Sequence, residues 1–541
     1  MPFTKSAPGI LSMGKATFQV PQDALFGRNR QKLLNELKGS CEGVIFLRGG
    51  NNPERFDSDH EPIFRQESYF WYLTGVKEPD CAVAIDISTQ QVTLFIPKLP
   101  ADYATIMGRI QLPDEWKDHY QVDQVKYLDE MESTLEETLL DDKPAMNGHT
   151  TNGDTTHAGS TNNKKLYLMK GPNSDSGNMY EPPTLESKRL QDNTIIDVDT
   201  LFPILAECRV GKSETELAML RHVTEVTSFA HAYVMRNIQP GNMEYQGESL
   251  FRHYCYYNYG CRLVGYTSIC GCGPNAAVLH YGHAGEPNDR QLEHDNICLF
   301  DMGAEYFGYG SDVTCSFPAS GKFNDRQRHI YRGVLQAQID VYNMLKPGVS
   351  YLDCHKAAEA AILKNLIAMG MVTTNDKTVE ELVEMRLGAV FMPHGLGHFI
   401  GIDTHDVGGY LPGHQPRIDE PGLRKLRTAR DMKENMTLTV EPGCYFIDHL
   451  LDGALAEESP LKPYLNETMI QEYRGFGGVR LEDVVVITKD GCINYTLCPR
   501  TIEEVEHVMS GGKWPPTEDK APELRRERLL DPNPLPSPPS L

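Results

Sequence analysis

Five side chains with metal-binding chemistry lie along the second half of this chain, each inside its own short motif: Asp301 in LFDMGAEY, Asp312 in GSDVTCSF, His398 in PHGLGHFIG, Glu441 in TVEPGCYF and Glu482 in VRLEDVVV. Four carboxylates and one imidazole describe a two-metal hydrolase centre. Oxygen-rich sites suit hard or borderline divalent ions, and two such ions a few ångströms apart can activate water beside a polarised carbonyl. With both ions divalent, the carboxylates balance their charge; four unneutralised carboxylates could not share one buried pocket. A fold for this chain has to bring the five motifs to one point.

At 541 residues the chain exceeds what one hydrophobic core usually supports, so at least two domains are expected. The formal charge of -23 argues against sequence-independent binding to nucleic acid or to anionic membrane, both of which draw on clustered Lys and Arg. Small ligands and protein partners remain. No apolar run approaches the roughly 20 residues of a membrane helix, and the opening MPFTKSAPGI lacks the basic-then-apolar form of a signal peptide, so a cytoplasmic location is expected by default. The thirteen cysteines are scattered singly apart from Cys270 and Cys272, with no CxxC spacing, which reads as reduced thiols.

The fold class expected is α/β (α+β). Residues 1–204 alternate strand-like runs, GVIFL (43–47), CAVAID (81–86) and QVTLFIP (91–97), with helix-compatible polar segments, as in an α/β domain. Within it, residues 141–164 are nearly devoid of large apolar side chains and read as a mobile surface insertion, whose His149 and His157 have no Cys or carboxylate framework to make a metal site. A second domain is expected over 205–510, opened by a helix from Ser213 to Val234 whose SETE start resembles a capping box. From Gly511 to Leu541 closely spaced prolines forbid a regular ladder, and the expectation is an extended, solvated tail.

Each motif has a local logic. Asp301 and Asp312, separated by apolar residues and the turn-prone GYGS, fit two strands of a hairpin that returns both carboxylates to one end. His394 and His398 have the i, i+4 spacing of a helical zinc pair, but Gly395 and Gly397 disfavour a helix and the Glu of HExxH is missing. Three imidazoles between His394 and His405, flanked by glycines, read instead as a site approached closely by backbone. Glu441 ends an apolar strand at a forced Pro-Gly turn, and Glu482 interrupts another; either alone is equally an exposed strand end.

The longer strings FRQESYF, SICGCGPNAAVLHYGHAGEPNDR, FMPHGLGHFIGIDTHDVGGY, RIDEPGLRKLRTAR and YRGFGGVRLEDVVV, in this order, resemble the pita-bread metallopeptidases and among them the prolidase (Xaa-Pro dipeptidase) family, from about Phe18 to Met509. The superfamily also includes aminopeptidase P and methionine aminopeptidase. The resemblance implies an N-terminal creatinase/aminopeptidase P-like domain followed by a pita-bread catalytic domain. It implies that Asp301 chelates one metal, that Asp312 and Glu482 bridge both, and that His398 and Glu441 complete the other shell. Manganese is the family's usual ion, favoured by carboxylate dominance, while the imidazole is compatible with zinc or cobalt. The resemblance further implies a homodimer, a dipeptide substrate, catalytic or substrate-binding roles for His280, His394, His405 and Glu441, and a carboxylate clamp at Arg427. Tyr266 and Ile269 align with apolar pocket positions. One departure is Ile106, where relatives carry Trp, and it bears on fine substrate preference. Two rival functions stand beside this one: an aminopeptidase P acting on longer chains, and a metal-free binding module.

Overall fold

The computed structural model describes residues 8–14, 17–140, 164–192 and 194–530. The expected insertion at 141–164 lies, apart from Lys164, outside the described residues, and His149 and His157 with it. The chain separates into two compact units, one carrying Gln19–Cys208 and the other carrying Phe18 and the chain from Arg209 onward.

In the first unit the three apolar runs form β1 (Gly43–Arg48), β2 (Ala82–Asp86) and β3 (Val92–Ile96). They are joined by β4 (Gln124–Tyr127), β5 (Lys165–Tyr167) and β6 (Ile196–Asp197) in a six-stranded sheet of order β6-β5-β1-β2-β3-β4. The central three strands pair antiparallel and the outer pairings are parallel. The helix Met131–Leu140 spaces Met131, Leu135 and Leu139 on one face, and that stripe packs on Val44, Phe46, Ala82, Ala84 and Phe95. In the FRQES segment, Glu67 caps the helix Ser68–Thr74 by accepting from the N–H groups of Tyr69 (3.0 Å) and Phe70 (2.7 Å). Gly75 then closes the helix at φ 65, where a Cβ would lie 2.0 Å from the Phe26 ring. Ile106 is 87 % exposed.

The second unit opens with the helix Glu214–Asn237. Its capping box is complete: Ser213 N–H donates to Glu216 Oε2 at 2.8 Å and Glu216 N–H donates to Ser213 Oγ at 3.3 Å. Strands β7 (Ile269–Cys272), β8 (Ile297–Asp301) and β9 (Thr314–Pro318) form an antiparallel sheet in that order. Its register sets Asp301 opposite Thr314 and Ile269 opposite Asp301, so Asp312 arrives at the same sheet end as Asp301. A second sheet orders β10 (Thr437–Val440), β13 (Asp483–Ile487) and β14 (Cys492–Asn494), and β11 (Gly443–Tyr445) pairs with β12 (Gly478–Arg480). Because Val440 lies opposite Asp483, Glu441 and Glu482 leave their strands side by side. The Glu482 N–H donates to Thr314 O at 3.1 Å and stitches the two sheets together at that point. Residues 393–399 are not helical, and Gly397 is required there: a Cβ would lie 2.2 Å from Thr439 O.

The tail differs from expectation. Residues 511–530 pack on the second unit, with Ala521 and Leu524 fully buried and Leu529 3 % exposed. The Trp514 indole N–H donates to Leu497 O at 2.8 Å, and Asn494 and Arg526 form a parallel bridge. Closely spaced prolines exclude a long ladder, but they leave room for single strand bonds and for apolar anchors between them. Residues 531–541 lie outside the described residues. All thirteen cysteines are free thiols, and among the described residues no helix is long and apolar enough to cross a membrane.

Candidate metal centre

Hairpin β8–β9 carries Asp301 and Asp312, the glycine-rich 393–399 segment carries His398, Glu441 follows the end of β10 and Glu482 immediately precedes β13. Three donor groups result, each with its ligand atoms within 4.8 Å of one another: Asp301, Asp312 and Glu482; His398, Glu441 and Glu482; and Asp312, His398 and His405. Glu482 is common to the first two, and Asp312 joins the first to His398. The His398 Nε2 lies 3.2 Å from Asp312, 3.5 Å from Glu441 and 3.9 Å from Glu482. Its Nδ1 faces Phe399 O at 2.9 Å, so Nδ1–H donates there and Nε2 is the ring atom turned to the carboxylates.

The electrostatics are those of crowded like charges. Burial, reinforced by the Asp312 charge, pushes the Asp301 carboxyl up to about 6 against the pull of Arg480. Burial likewise lifts Glu441 to about 7, with Asp312 and Asp301 adding and His398 and Arg480 opposing, and it raises Glu482 well above the usual range. For Asp312 burial works upward, but the hydrogen bond and charge of His398 outweigh it and hold the group at about 2. Asp312 Oδ1 is buried with no hydrogen-bond partner among the described residues. A divalent cation would relieve both the repulsion and this orphaned oxygen, so the donor set fits a metal pair.

Arg480, which sequence reasoning passed over, organises the carboxylates. Its guanidinium donates to Asp301 Oδ2 at 2.6 Å, to Thr314 Oγ1 at 3.0 Å and to the Tyr445 hydroxyl at 2.9 Å. Thr314 donates onward to Glu482 Oε2 at 2.7 Å, and Tyr445 donates to His394 Nε2 at 2.9 Å. The missed signal is the R-x-E spacing of Arg480 and Glu482, which places both side chains on one side of an extended stretch between two strands.

The remaining candidates divide. His394 is held neutral at about 3 by burial and then by the Arg480 charge, with Nδ1–H donating to Gly395 O at 2.7 Å. His405 sets its ring edge-on to His398, centroids 4.5 Å apart. Although the His405 side chain reaches solvent, desolvation by the atoms around it, then the charges of His398 and Arg427, lowers its pKa. His280, also exposed at its edge, is lowered by partial desolvation, then by Arg480 and Arg427. Arg427 is half-buried and so acts on both imidazoles. Tyr266, expected as an apolar wall, sends its hydroxyl to Asp301 Oδ1, while Ile269 is buried opposite Asp301. Behind His405, Asp406 is buried between Arg209 (2.6 Å) and Lys212 (2.7 Å), a pairing that sequence reading did not reach. Gly401 makes room for it, since a Cβ there would lie 2.2 Å from Asp406 Oδ2.

Comparison with known proteins agrees with this arrangement. The sequence model of metallopeptidase family M24 matches residues 218–489, which hold all five donors, and that of the aminopeptidase P N-terminal domain matches residues 26–146. The chain belongs to metallopeptidase family M24. The Xaa-Pro dipeptidase of Homo sapiens is 46 % identical to this M24 chain over 505 residues, covering 92 % of this chain and 96 % of that protein. The rat enzyme of the same name is 46 % identical over 506 residues. Among solved structures, a zinc-substituted Escherichia coli aminopeptidase P in complex with product superposes with a TM-score of 0.68 at 26 % identity, covering 90 % of this chain and 98 % of that one. The α/β organisation, with an aminopeptidase P-like unit ahead of an M24 unit, is therefore the fold of this protein.

Proposed function

We propose that this M24 protein is a dipeptidase that splits Xaa-Pro dipeptides into a free amino acid and proline, using two divalent ions held by Asp301, Asp312, His398, Glu441 and Glu482. The observation that carries the reading is the sharing of Glu482 between two donor groups, with Asp312 linking the first to His398. In that arrangement Asp312 and Glu482 would be the ligands shared by the two ions, Asp301 would hold one ion, and His398 and Glu441 would hold the other. A bound metal pair supplies a polarised carbonyl and a water acidified toward neutrality. Carboxylate dominance favours manganese, with zinc and cobalt the alternatives.

The protein's own residues do the rest. A dipeptide carries its free carboxylate one residue past the scissile bond, and the planar guanidinium of Arg427 is the side chain shaped to clamp it. Neutral His405 and His280 donate hydrogen bonds without adding charge, His405 to the developing oxyanion and His280, with His394, to the proline end. Glu441 passes the nucleophile's proton to the leaving imino nitrogen. An Xaa-Pro amide has no N–H for a general peptidase to read, and the Tyr266 and Ile269 wall recognises the ring instead. Thirteen unbridged cysteines suit a reducing cytoplasm, and the family resemblance implies a homodimer.

The test is a length series. Purified enzyme loaded with manganese is given Gly-Pro, Gly-Pro-Gly and longer Xaa-Pro peptides. Selective cleavage of the dipeptide is expected; equal or better turnover of the longer chains would make the protein an aminopeptidase P, and absence of bound metal would make it a binding module.

A further inference from the structure

The C-terminal segment, which composition marks as solvated, is bonded to the strands behind Glu482. Leu524 is fully buried, and its carbonyl accepts from Asn494 Nδ2 at 3.2 Å. Strand bonds flank that contact: Asn494 N–H donates to Arg525 O at 3.0 Å and Glu527 N–H donates to Asn494 O at 2.9 Å. The same Asn494 amide donates to Asp483 Oδ2 at 2.7 Å. Asp483, next in sequence to Glu482, is fully buried and otherwise held by Tyr342 (2.6 Å) and by Arg500, whose Nε and Nη2 reach Oδ1 at 2.9 and 2.6 Å. Arg500 Nη2 also donates to the Glu482 carbonyl at 2.6 Å.

A second route starts at Arg526, whose side chain is sealed from solvent. It grips both oxygens of Glu504, at 2.9 and 2.7 Å, together with Asp519 at 2.8 Å, and lies over the Trp514 ring. The Glu504 Oε2 accepts in turn from the backbone N–H of Arg500 at 2.9 Å and of Thr501 at 3.2 Å. Both routes end on the Arg500–Asp483 pair, which fixes the main chain at Glu482.

We propose that residues 511–530 form an intramolecular clasp in which Leu524 O and Arg526 position the Arg500–Asp483 pair and, through it, the Glu482 carboxylate for metal. Arg526 is a positioning residue: it touches neither substrate nor donor atoms. The inference rests on the assignment of Glu482 as a shared metal ligand. Partners outside the ligand set orient the ligands themselves, so loosening the clasp weakens metal retention before it alters substrate binding.

The test compares the full-length parent with Arg526→Met, Arg526→Lys and Asp519→Asn, each titrated with manganese(II) against a chelator, with bound metal counted by mass spectrometry. KM and kcat for Gly-Pro are then read at saturating metal. For Arg526→Met the metal concentration giving half occupancy should rise on the order of tenfold, the lower end of what outer partners contribute. KM should stay within twofold, kcat should recover at saturating metal, and Arg526→Lys should recover part of the occupancy. Should Arg526→Met fail to fold, Asp519→Asn, which removes one partner of Arg526 at a position 20 % exposed, is read the same way, with a smaller rise expected. Unchanged half occupancy in the folded variants, whether or not their melting temperature falls, overturns the clasp. A parent that binds no metal pair overturns the metal reading instead, so the two failures are distinguishable.

Discussion

Arg480 meets Asp301 at 2.6 Å while lying 4.0 Å from Glu482, so one fixed positive charge stands between the two ends of the donor set. Replacing it with Met leaves buried carboxylates to repel one another and frees Thr314 and Tyr445. Arg480→Met should lower kcat/KM for Gly-Pro by on the order of 10² and reduce metal affinity. Arg480→Lys should not restore it, because an ammonium lacks the fork that serves Asp301, Thr314 and Tyr445 together. Normal turnover and metal content in Arg480→Met would show that the guanidinium is only a structural filler.

Asp312→Asn and Glu482→Gln each remove a charge from a group shared between donor sets. Hydrolysis should be abolished in both, with bound metal falling below two per chain and the circular dichroism spectrum unchanged. Near-normal turnover with full metal content in either variant would refute the two-metal assignment.

The Arg427 clamp is read from a four-way comparison. Arg427→Ala should lower kcat/KM for Gly-Pro by on the order of 10² or more, since a charge-assisted hydrogen bond is worth ~1.5 to 3 kcal/mol and misplacement of the scissile bond adds to the loss. Gly-Pro amide should cost the parent a similar factor. If both changes remove one interaction, the penalties do not add and the variant barely distinguishes acid from amide. Penalties that simply multiply would place the substrate carboxylate elsewhere.

Asp406 and Lys212 are both almost fully buried, at 1 % side-chain exposure each, so removing the carboxylate strands the ammonium, whereas Arg209 keeps Asp406 paired if Lys212 is lost. Asp406→Asn should destabilise the second unit by about 3 kcal/mol in denaturant unfolding, and adding Lys212→Met should return part of that loss. A double variant as weak as the sum of two singles would mean that the charges do not depend on each other.

His222 gives a pH dependence of stability. Its ring stacks on Phe18 at 4.5 Å, its Nε2 is buried without a partner among the described residues, and burial lowers its pKa from 6.5 to about 4. Between those values the unfolded chain binds a proton that the folded chain refuses, so stability falls as pH drops from about 6.5 to about 4, by about 3 kcal/mol in total. His222→Phe should flatten the melting profile across that window and leave it parallel to the parent above pH 7. An equally steep acid slope in the variant would assign it to other groups.

What the sequence disclosed follows from how local each signal is. The SETE box, the GVIFL and VTLFI strands and the Asp301–Asp312 hairpin are written in adjacent residues, and each formed where expected. The five candidate ligands each sit in a distinctive turn or strand end, and the structure brings them to one place. Arg480, Arg500 and Arg526 were not legible, since a buried arginine is spelled like a solvated one and only its distant carboxylate partner marks it. The tail was misjudged for the same reason: its proline content is local, whereas the pocket that takes Leu524 is built by residues far upstream.

The order of the donors along the chain governs when the site can be assembled. A ribosome delivers Asp301 and Asp312 long before Glu482, and Glu482, like Asp312, is a carboxylate that two of the three donor groups share. A half-made chain therefore has isolated acidic hairpins and no working centre. Assembly of the full donor set is among the last steps open to the nascent protein, and a chain stopped before residue 482 lacks a shared ligand.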